Sequence, residues 1–258
     1  MRPEHKEEMK ARRRNIRLRV AYDGTRYHGF QRQSPPVVAV QNVLEKALEQ
    51  VFGDAIELAA AGRTDAGVHA TGQVVNFFTD GRIPVERIPH AVNGLLPPDI
   101  AIWEAAEADR EFSARHSAKG KTYLYRIQQG AAPNPFTARY AWHISRPLDI
   151  GAMGEALQCI LGEHDFSSFR AAGGAPMSPV RTIDRAEISP AAGNQIEIVF
   201  HGNGFLYHMV RNLVGTLVPV GLGNLSPKDF LRILEARDRG KASPTAPARG
   251  LCLQSVDY

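Results

Sequence analysis

The chain has 258 residues, 43% of them apolar, and carries 31 Lys and Arg against 27 Asp and Glu for a formal charge of +4. That length and apolar content suit one large domain or two modest ones, and no apolar run approaches the roughly 18 residues of a membrane span. The opening Met1-Arg2-Pro3-Glu4-His5-Lys6 is charged and lacks the apolar stretch of a signal peptide, so the expected location is the cytoplasm. Cys159 and Cys252 lie far apart within apolar runs, and the nine histidines show no ligand spacing. Buried thiols are expected, with no disulfide framework and no metal.

Charge is concentrated at the start. Residues 1–19 hold eight Lys and Arg against three Glu, and the rest of the chain is close to neutral. Residues 1–14 read as a disordered, solvated leader or, alternatively, as a basic arm that grips phosphates. Ile16 to Tyr22 then alternates as a strand and ends at Asp23-Gly24. Val40, Val43, Leu44, Ala47, Leu48 and Val51 repeat at helical spacing up to Gly53. Ile56 to Ala61 reads as a short buried strand and Gln73 to Thr79 as a second. Val85 to Leu96 is an expected helix stopped by Pro97-Pro98, and Ile100 to Ala108 a strand.

Charged residues 109–111 mark the end of a first half, 15–110, and the second half covers 111–258. It opens with a strand, Lys121 to Ile127, that places Tyr123 and Tyr125 on one face. A helix over Ile150 to Leu161 ends at Gly162, and Ala171 to Pro176 is a flexible insert. Ile183 to Ile188 and Gln195 to His201 form a hairpin. A strongly apolar helix, Leu206 to Val220, precedes a polar one, Lys228 to Arg237, and a last strand, Leu253 to Val256. The pattern predicts an α+β fold of two sheet-plus-helix halves.

Three places carry chemistry. In Gly62-Arg63-Thr64-Asp65-Ala66-Gly67-Val68-His69 a carboxylate and a guanidinium sit two residues apart on a tight connection between strands. Taken alone, Asp65 is better explained as a turn aspartate paired with Arg63 than as a catalytic group on a rigid scaffold. The helix Leu206 to Val220 carries Arg211 in otherwise apolar surroundings. That guanidinium either snorkels out at the helix edge or reaches a buried carboxylate, with Asp65 the leading candidate. Tyr123 is either core or a π-surface for an extruded base. Before these, Tyr22 to Gln33 interleaves aromatic residues with Arg and Gln, a mix suited to splayed RNA.

Together the segments YDGTRYHGFQRQ (22–33), AGRTDAGVHATGQVVNF (61–77), FSARHSAKGKTYLYRI (112–127), GEHDFSSF (162–169), GFLYHMVRN (204–212) and TAPARGLCLQSVDY (245–258) closely resemble the tRNA pseudouridine synthase A (TruA) family. The resemblance implies two related halves with mainly antiparallel strands and a catalytic cleft between them. It implies uridine isomerisation at positions thirty-eight to forty of the tRNA anticodon stem-loop, with no cofactor, by a homodimer. Asp65 matches the nucleophile, Arg211 its ion partner, Tyr123 the ring that stacks on the target uracil, and Arg63 an arginine that helps flip the base. Phe30, Gln31 and Arg32 fall among the substrate-binding positions, Phe30 standing where many members have Trp. Two alternatives stay open: an RNA-binding module without chemistry, and a synthase with another RNA target.

Overall fold

Alternating apolar residues make β1, Arg14–Tyr22, one-sided: Ile16, Leu18 and Val20 are fully buried while Arg17 is exposed. It lies antiparallel between β3, His69–Thr79, and β4, Ile100–Ala108, with Leu18 opposite Val75 and Ile16 opposite Phe77. The two-residue β2, Ala59–Ala60, pairs with β3. The computed structural model describes residues 12–174 and 176–258. The leader expected over 1–14 therefore lies outside the described residues up to position 11, as does Ala175 of the expected insert. Arg12 and Arg14 are tied to the fold, Arg12 donating to the Ala55 carbonyl at 2.8 Å and Arg14 pairing with Glu107.

The first of two units holds residues up to Ala118 together with Leu253–Tyr258, and the second is Lys119–Cys252. Residues 111–118 and the end of the last strand, β10 (Leu251–Asp257), thus belong with the first unit, where the strand order is β4-β1-β3-β10. Helix α1, Val40–Phe52, buries Val40, Leu44, Ala47 and Leu48, one face of a 3.6-residue repeat. It ends where Gly53 adopts φ +73° and returns its N–H to the Glu49 carbonyl. The single helix expected over Val85 to Leu96 is instead a 3₁₀ turn, Val85–Arg87, followed by α2, Ile88–Asn93. Pro89 has no N–H to give the Val85 carbonyl, so the α-helix starts afresh around it. It stops where Asn93 turns to β4, exchanging hydrogen bonds with the Ile102 backbone at 2.9 and 2.8 Å.

In the second unit, β5 (Gly120–Gln129), β9 (Gln195–Gly202), β8 (Val180–Ala191) and β7 (Gly162–Asp165) run in that order, each antiparallel to its neighbour. The short β6, Trp142–Ile144, adds parallel to β5. Helices α3 (Ile150–Gln158), α4 (Met209–Gly221) and α5 (Pro227–Ala236) pack on one another, and α3 packs on β8. Gly162, expected to end a helix at Leu161, has φ +93° and opens β7. The apolar helix begins at Met209, not Leu206, because His208 takes the left-handed conformation at its N-cap. Both units combine sheet and helices, an α+β architecture. Among the described residues no helix is long and apolar enough to cross a membrane.

Glu45 binds α1 to its surroundings. Buried on the helix, its carboxylate accepts from the Leu58 N–H at 3.0 Å, Gln41 Nε2 at 2.9 Å and both arms of Arg32 at 2.8 and 2.6 Å. Replacing it with alanine strands a buried N–H and a guanidinium. Glu45→Ala is expected to lower the unfolding free energy by roughly 2–3 kcal/mol in urea denaturation.

Candidate active site

The connection between β2 and β3 has no regular structure of its own, yet nearly every residue in it is tied down. Gln73 Nε2 donates to the Gly62 carbonyl at 2.8 Å. The buried Thr64 hydroxyl meets the Tyr22 hydroxyl at 2.7 Å, and its carbonyl accepts the Phe30 N–H at 3.0 Å. Gly67 donates to the Tyr27 carbonyl at 3.2 Å, and Val68 closes the turn onto the Asp65 carbonyl at 3.1 Å. His69, buried at the start of β3, accepts the Gly24 N–H on Nδ1 at 3.1 Å, and the same nitrogen is 3.2 Å from Asp23 Oδ1.

Two glycines permit this contact. A Cβ on Gly24 would fall 1.9 Å from the Val68 carbonyl oxygen. One on Gly29, which has φ +83°, would fall 2.6 Å from the Thr64 carbonyl oxygen. The segment from Asp23 to Phe30 and the segment from Gly62 to His69 therefore lie backbone against backbone. Asp65 stands half-buried at the crest of the second segment, its main chain set on both sides.

The neighbouring candidates divide. Arg63 is exposed, and its Nε donates to Gln31 Oε1 at 2.9 Å, so these two are brought together. Arg32 turns away onto Glu45. Phe30 is fully buried, its ring 6.0 Å from that of Tyr22. A ring with no exposed surface cannot itself meet a substrate, so its place is beneath the turn. The pattern Phe30-Gln31-Arg32 looked like a mixed aromatic and polar surface, but the backbone bond from Phe30 to Thr64 points the ring inward. Thr64, Tyr22 and His69 were not singled out from sequence. His69 fits no metal-ligand spacing, and its place in the GRTDAGVH run is the signal that marks it.

In the second unit Tyr123 stands on β5 opposite Phe200, 7% exposed, with its ring edge-on to Phe205 at 5.1 Å. Tyr125, two residues on, is sealed and donates to the Pro247 carbonyl at 2.8 Å. Burial pushes its phenol up, and the nearby Arg211 and Arg249 cations pull the other way. Arg211 and Pro219 are the two residues of α4 that are not buried. Arg211 is half-exposed and holds the Ala246 carbonyl with Nε at 2.9 Å, while Ala246 N–H returns to the Arg211 carbonyl at 3.1 Å. Next to it Asn212 donates to the Phe169 carbonyl and accepts from Thr245 and Arg239. The segment around Ala246 thus fixes both the backbone and the guanidinium of Arg211. Among the described residues no three His, Cys, Asp or Glu side chains gather to hold a metal ion.

The family model described as tRNA pseudouridine synthase matches residues 19–117 and 156–258. Asp65, Arg63 and Arg211 fall inside those stretches and Tyr123 between them. Over 247 residues the chain is 47% identical to tRNA pseudouridine synthase A of Moorella thermoacetica, covering 94% of this chain and 99% of that one. Its relative in Thermoanaerobacter sp. is 45% identical, with coverage of 95% and 100%, and that of Latilactobacillus sakei is 46% identical, with 94% and 98%. With a family match that runs through a turn built this way and relatives aligned over nearly their full length, the chain belongs to the tRNA pseudouridine synthase family of isomerases.

Proposed function

We propose that this protein converts uridine to pseudouridine at positions thirty-eight to forty of the tRNA anticodon stem-loop, with Asp65 as the nucleophile. The observation that carries the reading is the turn itself. A carboxylate at the crest of a segment held by backbone bonds on both flanks is presented with little freedom, as nucleophilic attack requires. The reaction breaks the bond from uracil N1 to C1′ and forms one from C5 to C1′. N1 gains a proton and C5 loses one, so nothing is oxidised and no group is transferred to or from another molecule.

The remaining roles follow from the motif match and local geometry. Arg63 is the residue that enters the stack as the base leaves, a step that costs a few kcal/mol of stacking and pairing. Gln31 holds its guanidinium at the start. Tyr123 supplies the stacking surface for uracil. Arg211 is assigned as the ion partner of Asp65, on the argument that an arginine in an apolar helix serves a carboxylate. Phe30 lies buried beneath the turn, and Arg32 braces α1 through Glu45. The exposed Arg17, its guanidinium 6.0 Å over the Phe112 ring, suits contact with a polyanion. The enzyme is assigned to the cytoplasm, as a homodimer.

Tritium release from [5-³H]uridine-labelled tRNA reads the C5 proton directly. Asp65→Ala is expected to lower it at least about a thousandfold while tRNA binding persists; normal release by that variant overturns the assignment. Arg211→Lys, which lacks the planar fork, is expected to lose roughly tenfold to a hundredfold in kcat. Sedimentation velocity of the wild type at micromolar concentration is expected to give twice the chain mass, and a monomer would remove the dimer from the reading.

A further inference from the structure

We propose that His69 is a positioning residue for Asp65 and acts as a neutral imidazole protonated on Nε2. This rests on the reading of Asp65 as nucleophile. The Gly24 N–H points at His69 Nδ1 from 3.1 Å, and an N–H needs a lone pair there, so Nδ1 carries no proton. The Asp23 carboxylate, 3.2 Å from the same nitrogen, is a competing acceptor. Its Oδ1 already accepts from the Thr25 N–H at 3.0 Å and the Thr25 hydroxyl at 2.5 Å. An N–H on Nδ1 would turn to Asp23 and face the Gly24 N–H with a second donor. The neutral tautomer is the one that keeps Gly24 in place.

Gly24 is the residue on which this has consequences. It touches Val68 so closely that no Cβ fits between them, and Val68 in turn closes the turn onto the Asp65 carbonyl. Both His69 and Gly24 are buried, so no water stands ready to replace the lost acceptor. Without it Gly24 must rotate toward another partner, Val68 must follow, and the Asp65 carboxylate moves with the turn. Positioning errors of an ångström are enough to slow a reaction whose catalysis depends on alignment. The turn carries the attacking carboxylate, so the loss falls on kcat more than on KM.

The test compares His69→Leu, which removes the acceptor, with His69→Asn, whose Oδ1 takes the place of Nδ1. Tritium release from labelled tRNA is followed to separate kcat from KM, with Asp65→Ala in the same series. His69→Leu is expected to lose at least about tenfold in kcat with KM within about twofold, and His69→Asn to recover to within about threefold of wild type. Long-range ¹H–¹⁵N correlation on the wild-type protein is expected to show Nδ1 unprotonated, a readout that needs no variant to fold. Full kcat in His69→Leu, equal loss in both variants at equal melting temperature, or a protonated Nδ1 overturns the proposal. Activity in Asp65→Ala would overturn the nucleophile assignment instead, and so is told apart from a failure at His69.

Discussion

The turn that carries Asp65 makes almost no hydrogen bonds within itself, so its shape is borrowed from a segment more than thirty residues earlier in the chain. Thr64, Gly67 and His69 each bond to the stretch from Tyr22 to Phe30, and two glycines let the backbones meet without side chains between them. Everything proposed for the site depends on that seam. A carboxylate on a free loop would sample many orientations, whereas here the main chain on either side of Asp65 is held by partners that β1 positions. Regular structure fixes β1, β1 and β3 fix the seam, and the seam fixes the turn.

The second unit solves a related problem inside a helix. Helix α4 is buried at all but two of its positions, and such a helix ordinarily excludes charge. Arg211 is accommodated because the segment around Ala246 crosses it and supplies a carbonyl, and Gly215 lets that segment lie against the helix where a Cβ would meet the Pro244 oxygen at 2.0 Å. Asn212, fully buried, spends its amide on Phe169, Thr245 and Arg239. Polar groups in this interior are all accounted for by specific partners, which is the condition for keeping them there without loss of stability. In the first unit Gln73 is a contrast, since its buried Oε1 has no partner among the described residues while its Nε2 holds Gly62.

Periodicity was a good guide where an element has one buried face. Helix α1 runs over the same Val40–Phe52 that the apolar repeat marks, and β4 over the same Ile100–Ala108. It failed at element ends, where single residues decide. The left-handed His208 trims the start of α4, Pro89 divides the helix around Val85 to Asn93, and the strand expected over Ile56 to Ala61 shrinks to Ala59–Ala60. The short strands β6 and β7 carry no pattern of their own and exist because β5 and β8 offer them an edge. Site residues divide in the same way. Asp65 on a tight connection between two strands is readable from the glycines and flanking apolar runs. That Phe30 faces inward is not, because a single aromatic beside Gln and Arg has no period to reveal its direction.

The sequence by itself determined family membership, the class of the fold and the location of the acidic turn, since each is written in local pattern or in motifs that survive without coordinates. Tertiary structure decided which groups meet. It sent Arg32 to Glu45 and Arg63 to Gln31, placed the Phe30 ring beneath the turn, and set Nδ1 of His69 to receive the Gly24 N–H. The physical reason is range. Helix and strand signals arise between residues a few positions apart, while these contacts join residues from 13 to 45 positions apart, whose approach is paid for only by the packed core around them.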